Sequence, residues 1–447
     1  MTDPTTAANA PGSPPGMRTG SLPILLGIVF VDMLGFGMIV PLVPFYAERF
    51  GASATVVGFL VASYALAQLV GAPLLGHLSD RVGRKPVLAI SLVGTSLGFV
   101  LFGMAHTLFL LFAARTLDGL TGGNVSVAQA YIADVSTPKN RARNFGFIGA
   151  AFGVGFIVGP ALGGFLSRWG LSTPAFVAAG LAAVNAVAVM VVLPESKPGR
   201  QRGTAAATGA GALPDAGGEG GGRADALDGV AGSAAGPAGS DAPPPGGADP
   251  AVRGWAHLRA GDRAGGLLWT RFWFMMAFVT YALIFALWAQ LHLGVDAETT
   301  GYLLGYVGVL ILLVQGVLVG WVSKRFPETP VLLGCIALLC ISLVGWSQVD
   351  TIPALMLVQI PLSIAVGLFQ PTMNSVLSQS VMPQEVGTVL GIGTSLESVT
   401  RALAPSLGGI VLDRAGSWAP GLFGSVVLAL LLPFAVRAVR RPGPVED

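Results

Sequence analysis

Long apolar runs alternate with short polar segments along most of the chain. Each run approaches or exceeds the roughly 20 residues that a helix needs to cross the hydrocarbon layer of a membrane. None shows the short alternation that is typical of a membrane β-barrel. The pattern therefore predicts an all-α integral membrane protein with twelve spans, at residues 22–44, 56–76, 87–105, 108–130, 145–167, 173–193, 271–291, 299–321, 330–348, 352–376, 388–411 and 417–437.

A polar segment separates the first six spans from the last six. Residues 195–270 are rich in Gly, Ala and Pro and lack an apolar period, which favours a flexible linker. The predicted organisation is a tail, a six-helix bundle, this linker, a second six-helix bundle and a second tail, at residues 1–21, 22–194, 195–270, 271–437 and 438–447.

The two predicted bundles are related in sequence. The segment "GHLSDRVGRKPVL" at 76–88 aligns with "GWVSKRFPETPVL" at 320–332, an offset of 244 residues. The segment "GPALGGFL" at 159–166 aligns with "APSLGGIV" at 404–411, an offset of 245 residues. A nearly constant offset that keeps span order predicts a parallel internal duplication, as in two-bundle secondary transporters whose substrate site lies between the halves.

Composition and charge agree with a membrane setting. Hydrophobic residues make up 53% of the chain and charged residues 11%, against about 25% charged residues in soluble domains. Because cytoplasmic loops favour Lys and Arg, we expect a plasma-membrane protein with both termini in the cytoplasm, which leaves only Arg49, Arg168 and Arg414 in outer loops. The net charge of +2 gives no sign of a nucleic-acid partner.

The loop between the second and third predicted spans carries the most specific motif, "GHLSDRVGRKPVL". Its glycines permit close approach or a tight turn, its acid suits a helix N-terminus and its basic residues suit carboxylates at neighbouring helix ends. An ordinary positively charged loop is the alternative. The candidate residues are Gly76, Asp80, Arg81, Gly83, Arg84 and Lys85.

This motif resembles the signature loop of the major facilitator superfamily, which in that family holds two bundles together on the cytoplasmic side. The resemblance implies that Asp80 and Arg84 engage nearby helix ends, with Asp134 as a partner. In the second copy Lys324 and Glu328 replace the acid and the second arginine.

The fifth predicted span has a face of small residues, which permits close packing by another helix, and a proline that permits a kink. A generic packing face is the alternative. The spacing resembles the motif of proton-coupled antiporters within the superfamily, which implies export. Its residues are Gly146, Gly155, Gly159, Pro160, Gly163 and Gly164.

Ionisable residues within the spans are costly and are functional candidates by default. Asp32 lies halfway along the first span and is the predicted proton carrier, with a purely structural acid as the alternative. Arg115 and Asp118 share a helix face, so they form either an internal ion pair or part of the proton path. In the proton path, Arg115 is the expected cation near Asp32. Glu397 and Arg401 lie four residues apart and leave the same two possibilities.

Polar and aromatic residues within other spans are candidates for lining a substrate cavity. Placement towards lipid or the membrane interface is the alternative for each. The candidates are Asn124, Gln129, Tyr281, Gln290, Gln315, Gln370 and Asn374.

The first span and residues 117–160 together resemble the twelve-helix drug/proton antiporters, and most closely the tetracycline/proton antiporters. The resemblance implies a non-enzymatic, monomeric transporter that exchanges protons for a small amphipathic molecule, without a metal or cofactor. A proton-coupled transporter of an endogenous metabolite and a non-transporting receptor or scaffold remain alternatives, since fold alone does not set function.

Overall fold

The computed structural model describes residues 21–136, 140–195, 256–258, 261–382 and 385–441. Within these ranges the chain forms helices and connecting turns and no β-strand. Most of the predicted linker lies outside the described residues. The helices of the first half are α1 Ser21–Ile39, α2 Val43–Glu48, α3 Ala54–Val82, α4 Arg84–Gly103, α5 Leu108–Thr121, α6 Asn124–Val135, α7 Arg141–Leu166 and α8 Thr173–Val192.

The helices of the second half are α9 Arg263–Leu293, α10 Ala297–Leu313, α11 Val319–Arg325, α12 Glu328–Trp346, α13 Ile352–Ser378, α14 Val386–Ala415 and α15 Ala419–Val439. Helix α9 begins eight residues before the predicted start of the seventh span. The Asp262 carboxylate accepts a hydrogen bond from the Gly265 amide at 2.7 Å, so a side-chain cap starts the helix inside a polar stretch.

In the described residues the fifteen helices form twelve segments in the predicted order of spans, because α1 with α2, α5 with α6 and α10 with α11 each fill one position. Ten of them are long and apolar enough to cross a membrane by length and composition. The fourth position is filled by α5 and α6, which are separated by Gly122 and Gly123. The eleventh is filled by α14.

The helices pack as two six-helix bundles. In the first, α1 packs against α7 and α8, and α5 packs against α3 and α4. In the second, α9 packs against α14 and α15, and α12 packs against α13 and α15. Contacts between the bundles run mainly through α3 with α14 and through α7 with α10. The predicted fold class, an all-α protein of two bundles, is confirmed.

The small-residue face of α7 brings two neighbours very close. A Cβ added to Gly155, Gly159 or Gly163 would lie 2.6–2.8 Å from atoms of α1, and one on Gly164 would lie 2.8 Å from the Glu298 carbonyl oxygen of α10. Gly146 differs, because apart from its own helix's adjacent backbone nothing in the described chain lies within 4 Å of such a Cβ. The four packed glycines thus hold α1 and α10 against α7.

The molecule has two ends, which we call the latch end and the far end. The latch end carries the turn at 82–84, and the far end carries the connections at 49–53, 167–172, 294–296 and 416–418.

At the far end several polar contacts cross between the bundles. The Asp413 carboxylate accepts from the Ala54 amide at 2.9 Å and from the Thr55 amide at 2.7 Å, so a second-bundle side chain caps a first-bundle helix. Arg168 pairs with Glu298, and Gln290 donates to Glu48. These contacts join the two bundles at this end.

Candidate functional site

The first-bundle site is centred on Asp32 of α1. The Asn124 side-chain amide donates a hydrogen bond to Asp32 Oδ1 at 2.8 Å. Asn124 is the first residue of α6, directly after the break in the fourth span. Within the described part of the chain, no Lys, Arg or His nitrogen lies within 4.0 Å of the Asp32 carboxylate. Its closest partner is therefore neutral.

Arg115 forms a different pair from the one expected for proton transfer. Its Nη1 lies 3.2 Å from Asp118 Oδ2, so the structure forms the internal ion pair of α5. The guanidinium also lies over the Tyr64 ring, 4.5 Å from its centroid. The expectation that Arg115 would be the partner of Asp32 is not met here, because Asp118 on the same helix face takes the guanidinium.

A small cavity of about 20 Å³ joins these groups. Because one water needs about 10–15 Å³ of such space, the cavity can hold one or two waters but not a drug-sized molecule. Its polar lining consists of Asp32, Tyr64, Gln68, Thr95, Asp118 and Asn124. It therefore connects the two acids without being a substrate site in this conformation.

The second bundle contains a polar cluster centred on Glu397. Arg271 of α9 reaches Glu397 Oε1 with Nε at 2.8 Å and Nη2 at 2.7 Å. Gln370 of α13 donates to the same oxygen at 2.7 Å, and Arg271 Nη1 donates to Asn374 at 2.9 Å. Only 2% of Arg271 is exposed and only 8% of Glu397, so this is a buried ion pair that links three helices.

The suggested ion pair between Glu397 and Arg401 is therefore wrong. One turn apart on α14, the two side chains have different surroundings: Glu397 is buried and pairs with Arg271 of α9, whereas Arg401 is exposed. Arg401 lies close enough to Tyr64 of the first bundle for an electrostatic interaction. It belongs to the face of α14 that is directed at the other bundle.

The loop at the latch end is built around Arg84, which is buried. Its guanidinium contacts Asp80 at 2.8 Å, Asp134 at 3.0 Å and the Ser79 hydroxyl at 2.6 Å. The pairing with Asp80 and Asp134 agrees with what the resemblance implied. All of these contacts lie inside the first bundle and tie the ends of α3, α4 and α6 together.

Glu195 completes this loop and was not predicted. Its carboxylate accepts from the Arg84 amide at 2.8 Å and from the Lys85 amide at 3.1 Å, and so caps α4. Gly83, at a φ of +116°, gives this carboxylate room, since a Cβ there would lie 2.7 Å from Glu195 Oε2. Gly76 faces open space and Arg81 is exposed. The position of Glu195 directly after the sixth span was the sequence feature that could have indicated this role.

The second copy of the loop keeps the arrangement with the charge reversed. Glu328, in the place of Arg84, accepts from the Ser375 hydroxyl at 2.5 Å and from the Gln379 amide at 3.0 Å. It thus ties α12 to the end of α13. The duplication has preserved a side-chain tie at this position with different chemistry.

The other cavity candidates lie in four different places. Tyr281 is buried in the second bundle, where its hydroxyl donates to Gln359 at 2.6 Å, and Gln290 belongs to the far-end contacts. The placement of Tyr281 differs from the prediction because its partner lies within the second bundle, whereas Gln290 lies at the boundary between the bundles and lines a far-end cavity of about 520 Å³. Gln129 and Gln315 are exposed, whereas Gln370 and Asn374 belong to the Glu397 cluster.

Comparisons with known proteins identify the family. The family model described as "Major Facilitator Superfamily" matches residues 25–405 and 267–447. The chain is 28% identical over 446 residues to "Tetracycline resistance protein, class H" of Pasteurella multocida, covering 95% of this chain and 98% of the relative.

Higher identity is confined to part of the chain. The match to "Tetracycline resistance protein, class B" of Escherichia coli is 41% identical over 180 residues, which is 40% of this chain and 45% of the relative. It thus spans less than half the length of that relative.

A solved structure shares the fold. A bacterial homologue of the human lysosomal transporter Spinster, in an inward-facing and unoccupied conformation, superimposes with a TM-score of 0.69 at 16% identity, covering 97% of this chain and all of that one.

Proposed function

The chain belongs to the major facilitator superfamily, and from that premise we propose that it is a proton-coupled antiporter that exports a small amphipathic molecule. One observation carries the proposal. Of the three acids described here inside the bundles, Asp118 pairs with Arg115 and Glu397 pairs with Arg271, whereas Asp32 has only a neutral amide beside it. An unpaired charge within a membrane span is costly, and a proton or a substrate cation at Asp32 would remove that cost.

Competition between a proton and the substrate for Asp32 would couple the movement of one to the movement of the other. When the carboxylate is ionised, a cationic group of the substrate can neutralise it, and when it is protonated that attraction is lost. Proton and substrate therefore exclude each other at one site, which is what exchange transport requires. Asp118 lies near enough to Asp32 to interact with it electrostatically, so the charge of the Arg115 pair modulates the exchange.

We assign the latch end to the cytoplasm and this conformation to the inward-facing state. The assignment is supported by the far-end contacts of Asp413, Arg168 and Gln290, which join the bundles on the opposite side. It also agrees with the Lys and Arg of the loop at 76–88. In the export cycle these contacts would separate as the bundles rotate about the central site.

The substrate class is a drug-like, amphipathic molecule of the tetracycline kind. The names of the class H and class B relatives support this choice. Import of a metabolite on the same fold is the competing function, and the packed glycine face of α7, by its resemblance to the antiporter motif, favours export. We place the protein in the plasma membrane with both termini in the cytoplasm.

Two experiments test the proposal. Expression in an efflux-deficient host should raise resistance to tetracycline or to another amphipathic drug of a susceptibility panel. In inverted vesicles with an acidic interior, protons should leave the vesicles when the same drug is added. Their outward flow should drive uptake of the drug. Drug resistance without drug-dependent proton movement would contradict proton coupling, and substrate movement in the opposite direction would favour the importer.

A further inference from the structure

Asn124 connects Asp32 to the broken fourth span. Its amide nitrogen lies 2.8 Å from Asp32 Oδ1 and 3.5 Å from the Thr95 hydroxyl. Because Asn124 opens α6, any change in its hydrogen bonds acts on the first turn of that helix. On the other side of the break, the Gly122 carbonyl is held by the Gln68 amide at 2.8 Å.

The other half of the Asn124 side chain has no partner. Asn124 is 3% exposed, and its Oδ1 accepts no hydrogen bond from any described residue. Buried polar atoms are nearly always paired, so an unpaired acceptor beside Asp32 requires an explanation. A neutral carboxyl group supplies one, because it carries an O–H donor that an ionised carboxylate lacks.

We propose that Asn124 is a positioning residue that serves Asp32 in both of its charge states. Its amide nitrogen donates to the ionised carboxylate, and its amide oxygen accepts from the protonated one after the side chain rotates. The inference rests on the proposed role of Asp32 as the proton carrier. It explains why an amide, which is both a donor and an acceptor, stands where a cation was expected.

Through this exchange of hydrogen bonds, a change in the protonation of Asp32 alters the backbone at the start of α6. Rotation of the Asn124 amide changes the side-chain contact at the first residue of α6, while Gln68 continues to hold the end of α5. Gly122 and Gly123 between them leave the backbone free to adjust. The break in the fourth span is thus the element that responds to proton loading.

Other charged groups near Asp32 must be held constant in any test. Asp118 and Tyr64 interact with Asp32 directly, and Arg115 and Arg401 act on Tyr64. Substitution of Asn124 leaves all four in place, so a change in proton affinity can be assigned to the amide.

The experiment measures protonation directly. In purified full-length protein, the carboxyl signal of infrared difference spectra is titrated with pH, and Asp32→Asn identifies the part that belongs to Asp32. Asn124→Ala removes the hydrogen bonds to both charge states, and the bond to the ionised carboxylate is the stronger because it is charge-assisted. The midpoint of this signal should therefore move to higher pH, by about one unit. Asn124→Thr keeps a donor and acceptor and should restore part of the shift. Asn124→Leu replaces the alanine variant if that fails to insert.

Asn185 provides the matched control. It is a buried amide that also bonds to α1, donating to the Ile28 carbonyl at 2.9 Å. Asn185→Ala should lower thermal stability and leave the Asp32 midpoint unchanged. An unchanged midpoint in Asn124→Ala, or an equal shift in Asn185→Ala, would overturn the inference. A shift in Asn124→Ala in a protein without drug–proton exchange would instead refute the proposed function alone.

Discussion

At the scale of single residues, the three acids within the predicted spans differ in whether a positively charged side chain lies beside them. Asp118 and Glu397 each have an arginine within 3.2 Å or less, so neither needs a proton to be neutralised. Asp32 has an amide. We therefore expect substitutions of Asp118 and Glu397 to lower mainly the stability of the fold, and substitutions of Asp32 to impair mainly the coupling of drug transport to protons.

The Arg271–Glu397 pair gives a test of this view. Either Arg271→Gln or Glu397→Gln leaves one buried charge unpaired and should destabilise the protein by about 3–5 kcal/mol. The double variant removes both charges and should be more stable than either single variant. Thermal unfolding in detergent measures this, with Arg401→Gln as an exposed control. Single variants as stable as the control would show that the pair contributes little.

Sequence patterns predicted the charged residues but not all of their partners. Asp32, Arg115, Asp118 and Glu397 stand out because charge is rare in apolar runs. Arg271 was missed because it was placed at the edge of a span, whereas the Asp262 cap extends α9 outwards and puts it inside. Partners contributed by other helices, such as Glu195 for α4, depend on packing that periodicity does not contain.

At the scale of helices, the glycines of α7 set how closely the spans approach. At Gly159 an added Cβ would meet two atoms of the neighbouring helix at once, since it would lie 2.8 Å from both the Gly37 Cα and the Leu34 carbonyl oxygen. These are backbone atoms of α1 and cannot yield without moving the helix.

Gly159→Ala should therefore cost about 1–3 kcal/mol of stability. Gly146→Ala, in the same helix but facing open space, should be neutral or slightly stabilising because Ala favours helix. Thermal unfolding of the two purified variants makes the comparison. A Gly159→Ala variant as stable as Gly146→Ala would mean that close contact with α1 does not require glycine at position 159.

The order and direction of the helices were predictable from apolar periodicity and from the internal repeat. The breaks were harder to predict, because Gly122 and Gly123 sit in a run that is otherwise continuous. Glycines that allow close packing and glycines that interrupt a helix look alike in sequence. Only the neighbouring helices distinguish the two cases.

At the scale of the whole molecule, the far-end contacts hold the two bundles together on that side. Asp413 is the most specific of them, because its carboxylate caps α3 across the boundary between bundles. Asp296 makes a similar cap at 2.9 Å to the Thr299 amide, but within its own bundle.

Asp413→Ala should therefore favour opening of the far end. Loss of a cap costs about 1 kcal/mol, which corresponds to an increase of about fivefold in the open fraction. The reporter is Ala161→Cys, at a position that packs against Gly305 of the other bundle, with Cys335 and Cys340 replaced. Its labelling from the far side should accelerate in Asp413→Ala and not in Asp296→Ala. Equal rates in all three proteins would remove Asp413 from the closure.

The central claim is that Asp32 carries the proton, and one measurement tests it most directly. Asp32→Asn protein is reconstituted in liposomes, and tetracycline accumulation is followed under a pH gradient alone, after the wild type has shown it. Accumulation should be abolished, tetracycline binding should become weaker and lose its dependence on pH, and drug-induced proton release from the solubilised protein should disappear. If Asp32→Asn still concentrates tetracycline against its gradient, Asp32 is not the carrier and the role passes to Asp118 or Glu397.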